Sequence, residues 1–198
     1  MKVLVRGPLL SKSGYGEHTR QVFKWALSRG HDVRCQVLNW GITPWFIDRE
    51  DLGGLVGQIM ERTSPFESMP DLSLQIQLPN EWDPTLARFN VGITAGVETD
   101  RCSDEWKDCC DKMNVVIVPS SFSKLAFQGD ERLKEKIKVV PEAYSTFIDE
   151  TQEELSLDEI TTKFNFLLFG QVTSNDLESD RKNLFYTVKW FCEEFEND

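Results

Sequence analysis

Short apolar segments alternate with helix-patterned ones along most of this chain, and that alternation limits the fold more than any other feature. Lys2 to Arg6 is a short apolar strand. Gly14 to Arg29 follows as a helix with Val22, Phe23, Ala26 and Leu27 on one face, stopped at Gly30, and Asp32 to Leu38 is a second strand. A strand, a glycine-bearing loop, a helix and a strand make a βαβ unit, whose strands run parallel with a right-handed crossover. The theme recurs: Leu72 to Leu78, Val91 to Thr94, Val115 to Val118 and Ile137 to Val140 read as strands, and Ser103 to Met113 and Ser121 to Phe127 as helices. Continuous apolar strands alternating with helices imply an α/β fold, a Rossmann-like parallel sheet with helices on both faces.

The pattern breaks at Ser145. From there to Lys163 the chain is polar and acidic without a sustained apolar stripe, so it reads as a solvated linker or a short surface helix. Phe164 to Gly170 then reads as another buried strand and Lys182 to Phe195 as another helix, the start of a second α/β unit that is incomplete. The expected organisation is a main domain over 1–144, an acidic linker over 145–163, and the truncated start of a second domain over 164–198.

Composition narrows the function classes. A chain of 198 residues can bury roughly 70% of its unfolded surface, so its core needs neither disulfide nor metal. The longest apolar runs, such as Val115 to Pro119, are far short of the ~20 residues that span a bilayer. The N-terminus has too short an apolar stretch for a signal peptide, so a cytoplasmic protein is expected. Lys and Arg number 22 against 33 Asp and Glu, a net charge of −11, which repels phosphate backbones and argues against nucleic-acid binding. The five cysteines are an odd number with no Cys-x-x-Cys pair, so reduced thiols are expected, and no metal.

In an open parallel sheet, ligands bind where the loops leave the carboxyl ends of the strands. The first such loop runs from Gly7 into Gly14-Tyr15-Gly16-Glu17-His18-Thr19-Arg20, two glycines at a helix start whose free N–H groups can receive an anionic or hydroxyl-rich ligand. The same glycines could serve only a tight turn. A dinucleotide fingerprint fits badly, because Thr19 stands at the third glycine and the second strand ends in Leu38-Asn39 without an acidic residue. His18 is either a sugar or phosphate partner or a solvated surface residue. Glu98, at a strand's carboxyl end, either orients a ligand hydroxyl or faces water. Ser120 reads first as a helix cap and second as a ligand contact. Trp40, Trp45, Trp82 and Trp106 either stack on sugar rings or fill the core.

The Gly14 to Arg20 helix start and the Ser28-Arg-Gly-His-Asp-Val33 junction resemble the opening of the retaining GT-B glycosyltransferases known as group 1 or family 4. A second block is more specific: Val91-Gly-Ile-Thr-Ala-Gly-Val-Glu98, then Trp106, then Met113-Asn-Val-Val-Ile-Val-Pro119-Ser-Ser-Phe122. Lys138-Val-Val-Pro-Glu-Ala143 is similar to that family's strand before the interdomain linker, and Phe166 to Gly170 with Arg181-Lys182-Asn183 looks like the start of its donor-binding domain.

The resemblance implies transfer of a sugar from a nucleotide-sugar donor to a glycan or lipid-linked acceptor, with retention and without a metal or further cofactor. It implies substrate contacts at Gly14, Tyr15, Gly16, His18, Glu98 and Ser120, and donor-diphosphate contacts at Arg181 and Lys182, which by composition alone read as solvated charges. Gln171 departs from the pattern, standing where the family has a basic residue. With only the start of the donor domain present, residues 1–198 alone are expected to show negligible transfer. Three classes stay open: this enzyme, a noncatalytic module derived from the same fold, and another Rossmann-type nucleotide enzyme. Peripheral membrane contact and oligomeric state are also left open. Gly14, Gly16 and Glu98 are expected to line one cleft, with a Cβ at Gly16 blocking a ligand and leaving the fold intact.

Overall fold

The computed structural model describes residues 1–144, 158, 160–170, 172, 176–180 and 182–195. The chain divides into two compact units, Met1–Glu150 and Thr151–Asp198.

The first unit runs β1 (Lys2–Gly7), α1 (Gly14–Ser28), β2 (Asp32–Val37), α2 (Leu55–Glu61), β3 (Leu72–Ile76), β4 (Phe89–Ile93), α3 (Asp104–Lys112), β5 (Val115–Val118), α4 (Ser121–Leu125) and β6 (Ile137–Val139). Its six strands form one sheet in the order β2-β1-β3-β4-β5-β6, every pairing parallel. This is the α/β parallel sheet that the apolar periodicity implies. The chain steps from β1 out to β2 and returns to β3 on the other side of β1. The loops leaving β1 and β3 therefore diverge, which makes this edge the place where an open sheet receives ligands.

Register decides what each face carries. Val3 and Val5 of β1 stand beside Val33 and Cys35 of β2 and Leu72 and Leu74 of β3, and Leu74 in turn beside Val91. That row packs on Phe23 and Ala26 of α1, with Val56 and Ile59 of α2 in the same cluster. The opposite row, with Val116 and Val118 of β5 and Ile137 of β6, packs with Trp82, Met113, Phe127 and Leu133. Trp82 lies against Gly92, where a Cβ would sit 2.7 Å from the indole ring. The indole is therefore core. Trp106 packs against the same cluster, and Trp45 against the first one.

The loop between β3 and β4 is held by buried amides. Gln75 exchanges hydrogen bonds with the Asp83 backbone at 2.7 and 2.8 Å, and Asn90 Nδ2 donates to the carbonyls of Pro84 and Ala87. These two amides are thus satisfied, as low-dielectric surroundings require, while the buried Trp82 indole N–H has no hydrogen-bond partner among the described residues.

Two elements differ from expectation. Helix α2 lies in a stretch where no periodic pattern marked an element; seven residues are too few for helical periodicity to show. Phe164 to Gly170, expected as a strand, has no strand ladder among the described residues. An apolar run becomes a strand only beside another strand. Here Phe166 instead meets Phe191 of α5 (Leu184–Glu194) edge-on at 4.7 Å, and Leu184 approaches Gly170. No helix among the described residues is long and apolar enough to cross a membrane.

Candidate functional site

The start of α1 organises the carboxyl edge of the sheet. Ser13 caps the helix, its hydroxyl accepting from the Gly16 N–H at 3.1 Å. The loop before it is folded inward. Arg20, buried in the second turn, donates through Nη1 to the carbonyls of Leu9 at 2.9 Å and Ser11 at 2.8 Å. Its other nitrogens donate to Glu17 Oε2, Nη2 at 2.9 Å and Nε at 3.3 Å. Burial would raise the Glu17 carboxyl, but hydrogen bonds from Arg20 and Gln21 hold it below the usual carboxylate range.

This geometry corrects the expectation for Gly16. The residue is buried, and a Cβ built on it would sit 2.1 Å from the Ser11 carbonyl oxygen. Gly16 is glycine because the chain's own loop occupies the space, so it does not line a cleft. Gly14, by contrast, is exposed, and its Cβ would meet nothing within 4 Å.

Tyr15 ties α1 to the loop after β4. Its hydroxyl lies 3.0 Å from Thr94 Oγ1 and accepts from the Ala95 N–H at 3.0 Å. Trp40, in the loop after β2, stacks on the Tyr15 ring with centroids 4.2 Å apart. Trp40 is thus engaged by the protein itself. Burial pushes the Tyr15 phenol above its ordinary value, so it stays protonated and available as donor or acceptor. The chain of hydrogen bonds continues into α4. Ser123 Oγ donates to the Ala95 carbonyl at 3.0 Å, and Ser120 caps α4 by accepting from the Ser123 N–H at 3.0 Å. Ser120 is a cap, the first of its two readings. Gly96, at φ +83°, makes the turn that sends the chain on to Glu98, which is exposed.

His18 joins this edge to the segment after β6. Its Nδ1 is 3.1 Å from Glu142 Oε1, with the imidazole largely buried and the carboxylate half-exposed. Burial lowers the imidazole pKa, and it outweighs the opposing attraction of Glu142. His18 is therefore not a solvated surface residue. The unfolded chain, with His near its ordinary ~6.5, binds the proton more readily than the fold does. Stability from this residue is full above that pH and is lost as pH falls below it. His18→Gln is expected to remove this acid-side loss. Thermal melting between pH ~6.5 and ~5 checks it, and an unchanged slope in the variant would refute the assignment.

Of the expected site residues, Tyr15, His18, Ser120 and the Glu98 loop stand at the carboxyl edge. Lys182 is exposed, and its backbone N–H donates to Asp180, which also receives the N–H of Leu184 at the start of α5. Arg181 and Gln171 lie outside the described residues. Sequence reasoning missed Thr94, Arg20 and Glu142. Arg20 sits in the quoted motif, yet nothing in a sequence says that a helical arginine turns inward. Glu142 stands in the quoted Lys138 to Ala143 stretch without a role of its own, and its partner is 124 positions earlier in the chain.

Burial pushes the thiols of Cys35 and Cys110 up to about 12, so both behave as core hydrophobes. No group of three or more metal-ligating side chains occurs among the described residues. The joined edge is built from hydroxyls, a neutral imidazole and a carboxylate, which suits hydrogen bonding to a ligand's hydroxyl groups better than neutralising a phosphate. No protein-family model, curated protein or solved structure matches the chain.

Proposed function

We propose that this chain is the acceptor-side part of a retaining GT-B glycosyltransferase, moving a sugar from a nucleotide-sugar donor to a hydroxyl acceptor. The observation that carries the reading is the joined edge itself. Tyr15 from α1, Thr94 and Ala95 after β4, and His18 with Glu142 after β6 bring hydroxyl-recognising groups from three distant stretches of sequence to one end of the sheet. The order of motifs supports it too, because the helix start at Gly14, the Glu98 loop and the Pro119-Ser120 turn each follow a strand of one parallel sheet.

On this reading the neutral His18 imidazole, oriented by Glu142, hydrogen-bonds an acceptor hydroxyl, and Glu98 accepts from another. Arg181 and Lys182 are the residues that the resemblance assigns to the donor diphosphate, whose departing charge cationic side chains stabilise. A second reading, a noncatalytic binding module, draws on Gly16, since its glycine serves the turn and would be needed without any ligand.

Transfer assays on the protein as its gene encodes it, with a panel of nucleotide-sugars and hydroxyl acceptors, separate the two. Glu98→Gln and His18→Gln are each expected to lower transfer by about tenfold or more, the worth of a charge-assisted or buried hydrogen bond, with melting near neutral pH preserved. Wild-type rates in both variants would remove this site. Absence of transfer from every donor would favour the module.

A further inference from the structure

Beside the His18–Glu142 pair the protein holds a cavity of about 270 Å³ on the sheet face that α1 covers. Its walls are apolar: Val22 and Trp25 from α1, Ile93 from β4, Ile117 from β5 and Val140 after β6. His18 lines the same cavity. Trp25 is 47% exposed and Val140 51%, so large apolar side chains stand in water around the cavity. Two chemistries therefore meet in one place, an aliphatic wall and an imidazole held by a carboxylate.

We propose that this cavity binds the apolar chain of an uncharged, hydroxyl-bearing amphiphile whose head group hydrogen-bonds at His18. That such a ligand is the sugar acceptor rests on the glycosyltransferase reading; that it binds does not. A bare sugar laid on Ile93 and Ile117 would leave its hydroxyls without partners, at a desolvation cost. A purely apolar ligand would leave the buried imidazole unused. The head is uncharged because the Glu142 carboxylate beside the cavity, in a chain of net charge −11, repels a phosphate or carboxylate head, and Glu142 is already engaged by His18.

The test uses the whole chain and a series of n-alkyl β-glucopyranosides, from methyl to octyl, each below the concentration at which it forms micelles. Trp25 is the reporter, because filling the cavity moves its indole out of water. A saturable blue shift of tryptophan emission is expected with octyl glucoside, absent in Trp25→Phe. Affinity should tighten about fourfold per methylene as each is buried. Val140→Asp, which places a carboxylate on the wall at a half-exposed position, should weaken octyl glucoside by about tenfold or more with melting unchanged. Octyl phosphate should bind more weakly than octyl glucoside.

Affinity independent of chain length overturns the proposal, as does tighter binding of octyl phosphate. So does a chain dimer, seen by sedimentation, that closes the cavity to every glycoside. Equal transfer to methyl and octyl glycosides would sink this inference and leave the glycosyltransferase reading standing. Octyl binding without transfer from any donor, in the protein as its gene encodes it, would do the reverse.

Discussion

Gly16→Ala is expected to destabilise the first unit by about 3 kcal/mol or more, at the upper end of what overpacking costs. The added Cβ would stand 2.1 Å from the Ser11 carbonyl oxygen, 3.0 Å from that of Pro8 and 3.1 Å from the Arg20 guanidinium. The two carbonyls are backbone and cannot swing away like the end of a long side chain. The Ser11 carbonyl is also fixed from the other side by Arg20. Either the loop leaves Arg20 or the first turn of α1 shifts, and both disturb the contacts of buried Leu9 and Leu10. For a unit of this size the melting midpoint should fall by roughly 6 to 12 °C. Gly14→Ala is the matched control: its Cβ enters open space, so melting should hold or rise slightly as the unfolded chain loses freedom. Equal melting of the two variants would show that the loop does not press on α1.

Arg20→Met should cost a comparable amount by a different route. The side chain is 5% exposed, and its guanidinium satisfies the carbonyls of Leu9 and Ser11 while pairing with Glu17. Methionine keeps much of the volume and the contact with Phe46, whose ring lies 5.1 Å from the guanidinium carbon. It leaves two inward-facing carbonyls without donors, each worth about 1–3 kcal/mol when buried. A loss of about 2–5 kcal/mol is expected, read as a lower denaturation midpoint. The two substitutions act on one carbonyl, so the double variant should lose clearly less than the sum. Additive losses would mean that Arg20 and Gly16 hold different parts of the loop.

Much of the fold was legible because its signals are local. Strand β5 is four apolar residues bounded by Asn114 and Pro119, and α1 carries a cap, an apolar face and a terminating Gly30 at φ +70° within one stretch. The run Phe164 to Gly170 misled for the same reason: its composition is that of a strand, but a ladder needs a neighbour, and composition carries no information about neighbours. At the candidate site, Tyr15 and His18 were legible as polar residues at a helix start. Their partners were not, since Thr94 and Glu142 come from the ends of other strands.

The sequence by itself determined the class of fold and the edge of the sheet at which ligands are to be sought. Apolar period and helix caps act over a few residues, and parallel strands open their loops to one side. Only the tertiary structure decided what the glycines and polar groups at that edge do. It filled the space beside Gly16 with the Ser11 carbonyl, turned Arg20 inward, spent Ser120 on a cap and brought Glu142 to His18. Each of these is a contact between groups that the chain brings together only when the sheet is complete, and burial then fixes which of them keeps a partner and which keeps a charge.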